Sequence, residues 1–318
     1  MVARLVFRAL QAALVAGVLL GQAHPVAAQD RVTLGFGRLF SNDALIDGRD
    51  RWRSGSYSLS LLRGDRRIGE DWQGRLPVEP GAIIEYRLRN EIISPFEGGL
   101  SGPRDRTDRP YVGALSFGLH THYALGATEV GLGLDLIATG PQTRVSAVQE
   151  AFHEYFGFQP VRGTDTQIGN GVHPAVTLAL TRPLRLSDRV TLRPFVEAQA
   201  GVEDMLRVGG DLVIGTIGHH DLWLRDVTTG QPYRGIRAPQ EGLALVIGAD
   251  LAQVGGSLYL PEARGYAAEP RRARARAGIH WQTGPRASFF YGLTWLSPEF
   301  VGQPEGQTVG SLTLDFNF

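Results

Sequence analysis

The sequence predicts an all-β protein, an antiparallel transmembrane β-barrel of about twelve strands with a short amphipathic helix in an extracellular loop. Three observations carry that prediction. The chain opens with an export signal, and no later run is apolar enough for a membrane helix. The rest alternates apolar and polar residues in segments parted by Gly, Pro or polar turns.

Residues 1–28 begin with Arg4 and Arg8, continue through an apolar stretch from Ala9 to Leu20, and end on Val26-Ala27-Ala28. That is the layout of a cleaved secretory signal, and the apolar stretch is too short to span ~30 Å of hydrocarbon. The expected mature protein is a single domain, 29–318, exported to the bacterial outer membrane. Its 318-residue precursor has 41 Gly and no Cys, and all 32 of its basic residues are Arg. Disulfides, thiolate metal sites, cysteine nucleophiles, lysine Schiff bases, Ser-Lys dyads and P-loop lysines are therefore excluded. The 32 acidic residues balance the arginines, so nothing in the composition offers nucleic acid an electrostatic footprint.

The expected strands, in order, are Val32–Arg38, Ser54–Arg63, Ala82–Arg89, Tyr111–Tyr123, Thr128–Ala138, Ala175–Thr181, Val190–Gly201, Leu206–Gly218, Leu243–Leu260, Arg272–Trp281, 286–295 and 311–318. The ninth is either one long bent strand or a hairpin. The last shows the pattern most plainly: Leu312, Leu314, Phe316 and Phe318 form one face, Ser311, Thr313, Asp315 and Asn317 the other. In Arg272–Trp281 the alternation sets Arg272, Arg274 and Arg276 against Ala273, Ala275, Ala277, Ile279 and Trp281. A soluble sandwich would turn its apolar face inward and its charges out. An arginine ladder opposite small and aromatic residues instead suits an ion-paired lumen with the apolar face on lipid. Trp52, Tyr111, Tyr123, Trp281, Trp295 and Phe300 fall near strand ends, as interfacial girdles do.

One segment breaks the period of two. Thr143–Phe156 places Val145, Val148, Phe152 and Phe156 at helical spacing, with Gln149 and His153 offset from that stripe. This loop helix is either a plug or the carrier of a site against the barrel rim. His153 is the best candidate for a general base, since a helical imidazole beside a barrel wall can be oriented and tuned; the alternative is an ordinary polar surface position. Asn42, Asp43, Asp47 and Asp50 offer hard oxygen donors in one stretch after the first strand, though Asn and Asp also form turns. His120 and His122 share a strand face and read as lumen polar residues rather than metal ligands. No Gly-x-Ser-x-Gly elbow or His-Glu-x-x-His helix is present.

Several short blocks together resemble one family. Asn42-Asp43 followed by Gly48-Arg49-Asp50-Arg51-Trp52-Arg53-Ser54-Gly55 is similar to the opening motif of the outer-membrane lipid A 3′-O-deacylases, the LpxR family. Asp108-Arg109-Pro110-Tyr111-Val112-Gly113, then Gly140-Pro141 with Val148-Gln149 and His153, then Gly163-Thr164-Asp165-Thr166-Gln167 with Asn170, match later blocks in the same order. Leu206-Arg207-Val208-Gly209 and Ser297-Pro298-Glu299-Phe300 complete the series, which spans nearly the whole mature chain.

The resemblance implies a twelve-stranded barrel whose site lies between the wall and a loop helix near the outer rim. It implies Ca²⁺-dependent hydrolysis of the ester joining the 3′ acyloxyacyl chain to lipid A, with lipopolysaccharide in the outer leaflet as the only required partner and a monomer as the working unit. By matching position, Asn42 and Asp43 would hold Ca²⁺ and His153 would be the base. Gln149, in a matching block, and Arg51 and Arg53 are the candidates for binding substrate, and the arginines, with Arg49 and Arg66-Arg67, are candidates for gripping its phosphates. The Tyr-Thr-Asn of the family opening is replaced by Trp52-Arg53-Ser54, so the family's catalytic hydroxyl has no match in register; Ser54 and Ser56 lie nearby. The readings from other classes are a catalytically silent pore or structural barrel with an arginine-lined lumen, and an outer-membrane phospholipase.

Overall fold

A computed structural model describes residues 31–46, 48, 50–70, 72–96, 108–284 and 287–316. The signal sequence, Asp47, Arg49 and Phe318 lie outside the described residues.

The strands are β1 (Val32–Asn42), β2 (Trp52–Gly64), β3 (Ile83–Ser94), β4 (Val112–Leu125), β5 (Thr128–Thr139), β6 (Gly171–Thr181), β7 (Leu184–Ser187), β8 (Val190–Ala200), β9 (Glu203–Gly215), β10 (Leu222–Arg225), β11 (Pro232–Ile236), β12 (Gly242–Ser257), β13 (Arg271–Gln282), β14 (Ala287–Leu296) and β15 (Gln307–Phe316). Two α-helices accompany them among the described residues, α1 (Arg66–Glu70) and α2 (Val145–Phe156). Every strand but β10 and β11 belongs to one antiparallel sheet, and the β6–β8 pairing closes it. β6 and β7 lie along the same edge of β8 and form one stave, interrupted at Arg182-Pro183 where proline removes a ladder donor. The result is a closed barrel of twelve staves. All twelve predicted segments are present, and the ninth is one unbroken strand, β12.

The alternation resolves as the sequence requires. On β13, Arg272, Arg274, Arg276 and His280 are buried, while Ile279 and Trp281 are half exposed. On β4, Leu115, Phe117 and Leu119 face out and His120 and His122 face in. Inside, each arginine finds carboxylates. Asp250 accepts from Arg274 at 3.0 Å and pairs with Arg207 and Arg276, and Asp211 holds Arg276 at 2.6 Å and Arg225 at 2.7 Å. His122 and His120 lie against Glu85 at 2.7 Å and Asp135 at 3.2 Å, as lumen polar residues rather than a metal pair.

The eighth expected strand ends at Gly215 rather than Gly218, and the residues between it and β12, to which the sequence assigns no element, form a hairpin, β10–β11, that folds into the lumen. Its Leu222, Leu224, Tyr233 and Ile236 pack on Leu39, Leu62, Ile83 and Phe290, a small apolar core inside an otherwise charged barrel. The hairpin comes very close to β1: a Cβ on Gly35 would meet the Gly235 carbonyl oxygen at 2.1 Å, so only glycine fits there. The hairpin tip reaches across the barrel, where Thr228 donates to Glu91 at 3.1 Å and Arg274 donates to the Val227 carbonyl at 2.7 Å.

Both ends of the described chain lie at one end of the barrel, together with the short turns at 126–127 and 188–189. The other end carries the connections 43–51, 140–170, 258–270 and 297–306. The chain-end rim also carries the 65–82 connection and the inward-folded hairpin, and the opposite rim the two-residue turn 201–202, so loop length alone does not orient the barrel; chain ends with the tight hairpins 126–127 and 188–189 are the periplasmic arrangement, and the opposite rim faces outward. α1, with Arg66 and Arg67, follows β2 at the periplasmic end, so these two arginines, candidates for gripping substrate phosphates, lie at the opposite end from the outer rim.

Candidate active site at the barrel rim

At the outer end, β1 runs into a single 3-10 turn, Asp43–Leu45. Asn42 caps this turn, its side-chain oxygen accepting from the Ala44 amide at 2.7 Å. The Asp43 side chain is buried and accepts from the Arg51 amide at 2.8 Å and from Gln307 at 3.3 Å. That clamp folds the 43–51 loop back over the rim. Among the described residues, only two non-glycine residues have positive φ, Trp52 at 48° and Arg144 at 57°. They flank the site: Trp52 follows the clamped loop, and Arg144 opens α2. A bulky residue held in the left-handed region costs roughly 1–3 kcal/mol, and such strain collects at functional sites. Trp52 is kept there by burial against Leu260, Phe300 and Phe96.

α2 lies against the outer ends of β3 and β4 and presents Gln149 and His153 to the loop. Gln149 donates to Asp50 Oδ2 at 2.6 Å and accepts from the Tyr111 hydroxyl at 2.7 Å. Burial first, then the charges of Asp50 and Glu150, push the Tyr111 phenol up, so it remains a donor. His153 Nε2 stands 3.6 Å from the same Asp50 oxygen, and its Nδ1 lies 2.6 Å from the Gln159 carbonyl oxygen. A carbonyl oxygen can only accept, so Nδ1 carries the proton and Nε2 is left as the basic nitrogen, facing a carboxylate.

Beneath this layer sits a dense ion-pair cluster. Arg53, buried, binds Glu203 at 2.8 Å, Glu299 at 2.8 Å and Glu91. Arg109 also binds Glu299, Arg272 binds Glu203 at 2.8 Å, and Arg89 binds Glu91 at 2.9 Å. Burial alone would raise the Glu299 carboxyl, but Arg53, Arg272 and Arg109 outweigh it and hold it at about 2.

The fold thus brings His153, Gln149, Asp50, Asp43 and Asn42 into one neighbourhood, since Arg51, whose amide clamps Asp43, is the neighbour of Asp50. Gln149 and Arg53 aim their polar atoms at other side chains rather than outward. Arg51 is buried, bonded to Glu305 and stacked on Trp52. Ser54 is buried in the irregular start of β2, and the buried Ser56 hydroxyl has no hydrogen-bond partner among the described residues.

Asp50 as the partner of His153, and Tyr111 as the partner of Gln149, went unread in the sequence, although both lie in the quoted blocks. For a metal, Asn42 and Asp43 supply two hard oxygen donors of the kind Ca²⁺ takes. Among the described residues no three His, Cys, Asp or Glu side chains group as a metal site. The remaining ligands of a cation here would have to be carbonyls, water or substrate.

An all-β barrel with an apolar outer band, a salt-bridged lumen and a built rim site is an outer-membrane barrel protein; none of its described helices is long and apolar enough to cross a membrane. The sequence profile of the family described as outer membrane protein LpxR matches residues 10–318, and the chain belongs to that family. LpxR from Salmonella typhimurium superposes with a TM-score of 0.70 at 17% identity, over 89% of this chain and all of that one. The β domain of the Bordetella autotransporter BrkA gives 0.40 at 13% identity, over 89% of this chain and 99% of that one. The NanC porin gives 0.40 at 6% identity, over 89% and 100%. No curated protein sequence matches the chain.

Proposed function

We propose that this protein is a lipid A 3′-O-deacylase, hydrolysing the ester that joins the 3′ acyloxyacyl chain to the glucosamine. The observation that carries the reading is His153, set by the Gln159 carbonyl into the tautomer a general base needs and facing Asp50 at 3.6 Å, at the rim of a barrel of the LpxR family. His153 Nε2 takes a proton from water as its oxygen attacks the ester carbonyl carbon. The carbon–oxygen bond to the sugar then breaks, and the imidazolium returns the proton to the leaving 3′ oxygen. Asp50 steadies the transient imidazolium and is itself held by Gln149, which Tyr111 holds in turn. Asn42 and Asp43 are the residues that would hold Ca²⁺, which when bound would polarise the ester carbonyl. No covalent nucleophile is needed, in keeping with a chain without Cys.

The test is incubation of the refolded mature protein with hexa-acylated lipid A, with Ca²⁺ or with EDTA, and mass spectrometry of the products. Loss of the 3′ acyloxyacyl group in wild type with Ca²⁺, and its retention with His153→Ala or Asp43→Ala, is the expected result. Unchanged lipid A in every lane, from folded protein, refutes the reading.

A further inference from the structure

An amphipathic helix on a folded domain ordinarily buries its apolar stripe and shows its polar edge to water. Past Val145, which is buried, α2 does the reverse. Its Gln149 and His153 edge is turned to the barrel, against Tyr111 and Asp50. Val148, Phe152, Tyr155 and Phe156 stay exposed, Tyr155 by 82%, and Phe158 just beyond the helix joins them. The rings form one group: Phe152 lies 4.5 Å from Phe156 and 6.0 Å from Phe158, and Tyr155 lies 4.9 Å from Phe156. The Phe158 ring stands edge-on 5.7 Å from the His153 imidazole, so the patch ends at the candidate base. The exposed Glu150 and Glu154 fall on the third edge of the helix, across the axis from the aromatic stripe. A contiguous aromatic patch of this kind is unfavourable in water and marks a binding surface.

The occupant follows from position. α2 is spliced between β5 and β6, and the outward residues of those strands, Leu134, Leu136 and Val172, belong to the exposed apolar band that meets lipid. A helix with aromatics on one edge and glutamates on another lies in a bilayer interface with its apolar edge toward the acyl chains. Along the chain the stripe follows directly on that band, and its rings end at His153. We propose that the exposed face of α2 is a seat for an acyl chain of an outer-leaflet lipid, holding the chain's ester end beside His153. The proposal deepens the deacylase reading and rests on it for the chemistry, but not for the contact with lipid.

The absence of cysteine in the chain supplies a direct probe. Tyr155→Cys and, as a control on the 258–270 loop, Ala263→Cys are labelled with an NBD fluorophore. Each is reconstituted into vesicles of phosphatidylethanolamine, phosphatidylglycerol and lipid A, with and without doxyl-labelled acyl chains. The label at 155 is expected to emit to the blue of that at 263 and to be quenched at least twofold more by the doxyl chains. Equal, water-like emission at both positions overturns the proposal. A blue shift that grows with the protein-to-lipid ratio and resists doxyl quenching assigns the face to a second copy of the chain, and also overturns it. In the activity arm, Phe152→Ser with Phe156→Ser raises KM for lipid A about tenfold and leaves kcat unchanged. An unchanged KM in the folded double variant counts against the seat. A wild-type protein that binds doxyl-quenched lipid yet cleaves nothing refutes the deacylase reading and leaves the seat standing.

Discussion

Nδ1 of His153 lies 2.6 Å from the carbonyl oxygen of Gln159, six residues along the same chain. The tautomer of His153 is therefore set by backbone, through the turn that ends α2 at Gly157, and not by a carboxylate. In a Ser-His-Asp triad the aspartate performs that task, and its loss leaves the wrong tautomer. Here the two tasks are divided: Gln159 fixes the ring proton and Asp50 faces the basic nitrogen.

That division sets the expected size of a substitution at Asp50. Asp50→Asn keeps the shape and the contact with Gln149 but removes the charge that favours the imidazolium. The expected fall in kcat is about tenfold to a hundredfold, on the order of 1–3 kcal/mol for a partly solvated pair. His153→Ala, which removes the proposed base, should cost about 10²–10⁴. Steady-state kinetics on lipid A separates the cases. A loss at Asp50→Asn as large as that at His153→Ala would mean that Asp50, not Gln159, sets the tautomer.

In the proposed reaction Tyr111 acts only through Gln149. Tyr111→Phe removes the 2.7 Å bond to Gln149 Oε1 and frees the amide to rotate away from Asp50. Its kcat should drop several-fold with KM unchanged, an effect of lost positioning. The fold should be intact by circular dichroism, since Tyr111→Phe preserves the buried ring. A change in KM alone would place Tyr111 in substrate binding instead.

The cluster around Arg53 predicts a pH limit. Glu299 is depressed to about 2 in the folded protein, so it contributes stability that is present above its unfolded value near 4.3 and lost as pH falls through about 2. The midpoint of heat-modified electrophoretic mobility should therefore fall between pH 4 and pH 2. Arg53→Ala leaves Glu91, Glu203 and Glu299 without the cation they share, a loss of about 3–5 kcal/mol for a broken buried network. Its midpoint at pH 7 should drop, and acid should then lower it less than in wild type, because protonation relieves the repulsion. An Arg53→Ala midpoint equal to wild type at pH 7 would show the cluster to be dispensable.

How much of this could be read from residues depends on the range of the interaction. The barrel staves follow from period-two alternation, a local signal that β13 and β15 state almost without exception. α2 was legible for the same reason, through its period. The hairpin was not. Leu222, Trp223 and Leu224 are a short apolar run whose burial depends on distant residues facing inward against the polar-lumen rule: Leu39, Leu62, Ile83 and Phe290 from four different strands for the two leucines, and Val213, Ala244 and Val246 for Trp223. The side of α2 that docks was also hidden, because periodicity locates the apolar stripe but not its neighbour. At the site, His153, Asn42 and Asp43 were legible as chemical types, whereas the Asp50–His153 contact spans 103 residues and depends on the Asp43 clamp that folds the loop back.

The hairpin bears directly on the rival reading of an arginine-lined pore. The hairpin lines two lumen cavities, one of about 80 Å³ with Arg87, His122, Glu129, Arg193 and Arg225 and a larger one of about 570 Å³ toward the periplasmic end with Arg38, Arg237 and Asp315, and its apolar core fills lumen space that a conduit would need. Wild-type protein in planar bilayers should therefore show no steady conductance. Replacing residues 222–236 by a short Gly-Ser linker removes the apolar plug and its tip at Thr228, leaving an open twelve-stave barrel whose interior carries mixed charge. Discrete channel openings are expected from that variant alone, provided its heat-modified mobility shows a folded barrel. The rim site is built from the 43–51 loop and α2, so its deacylation of lipid A should persist at a reduced level. Steady openings from wild type would show that the hairpin does not seal the lumen and would return the pore reading to the front.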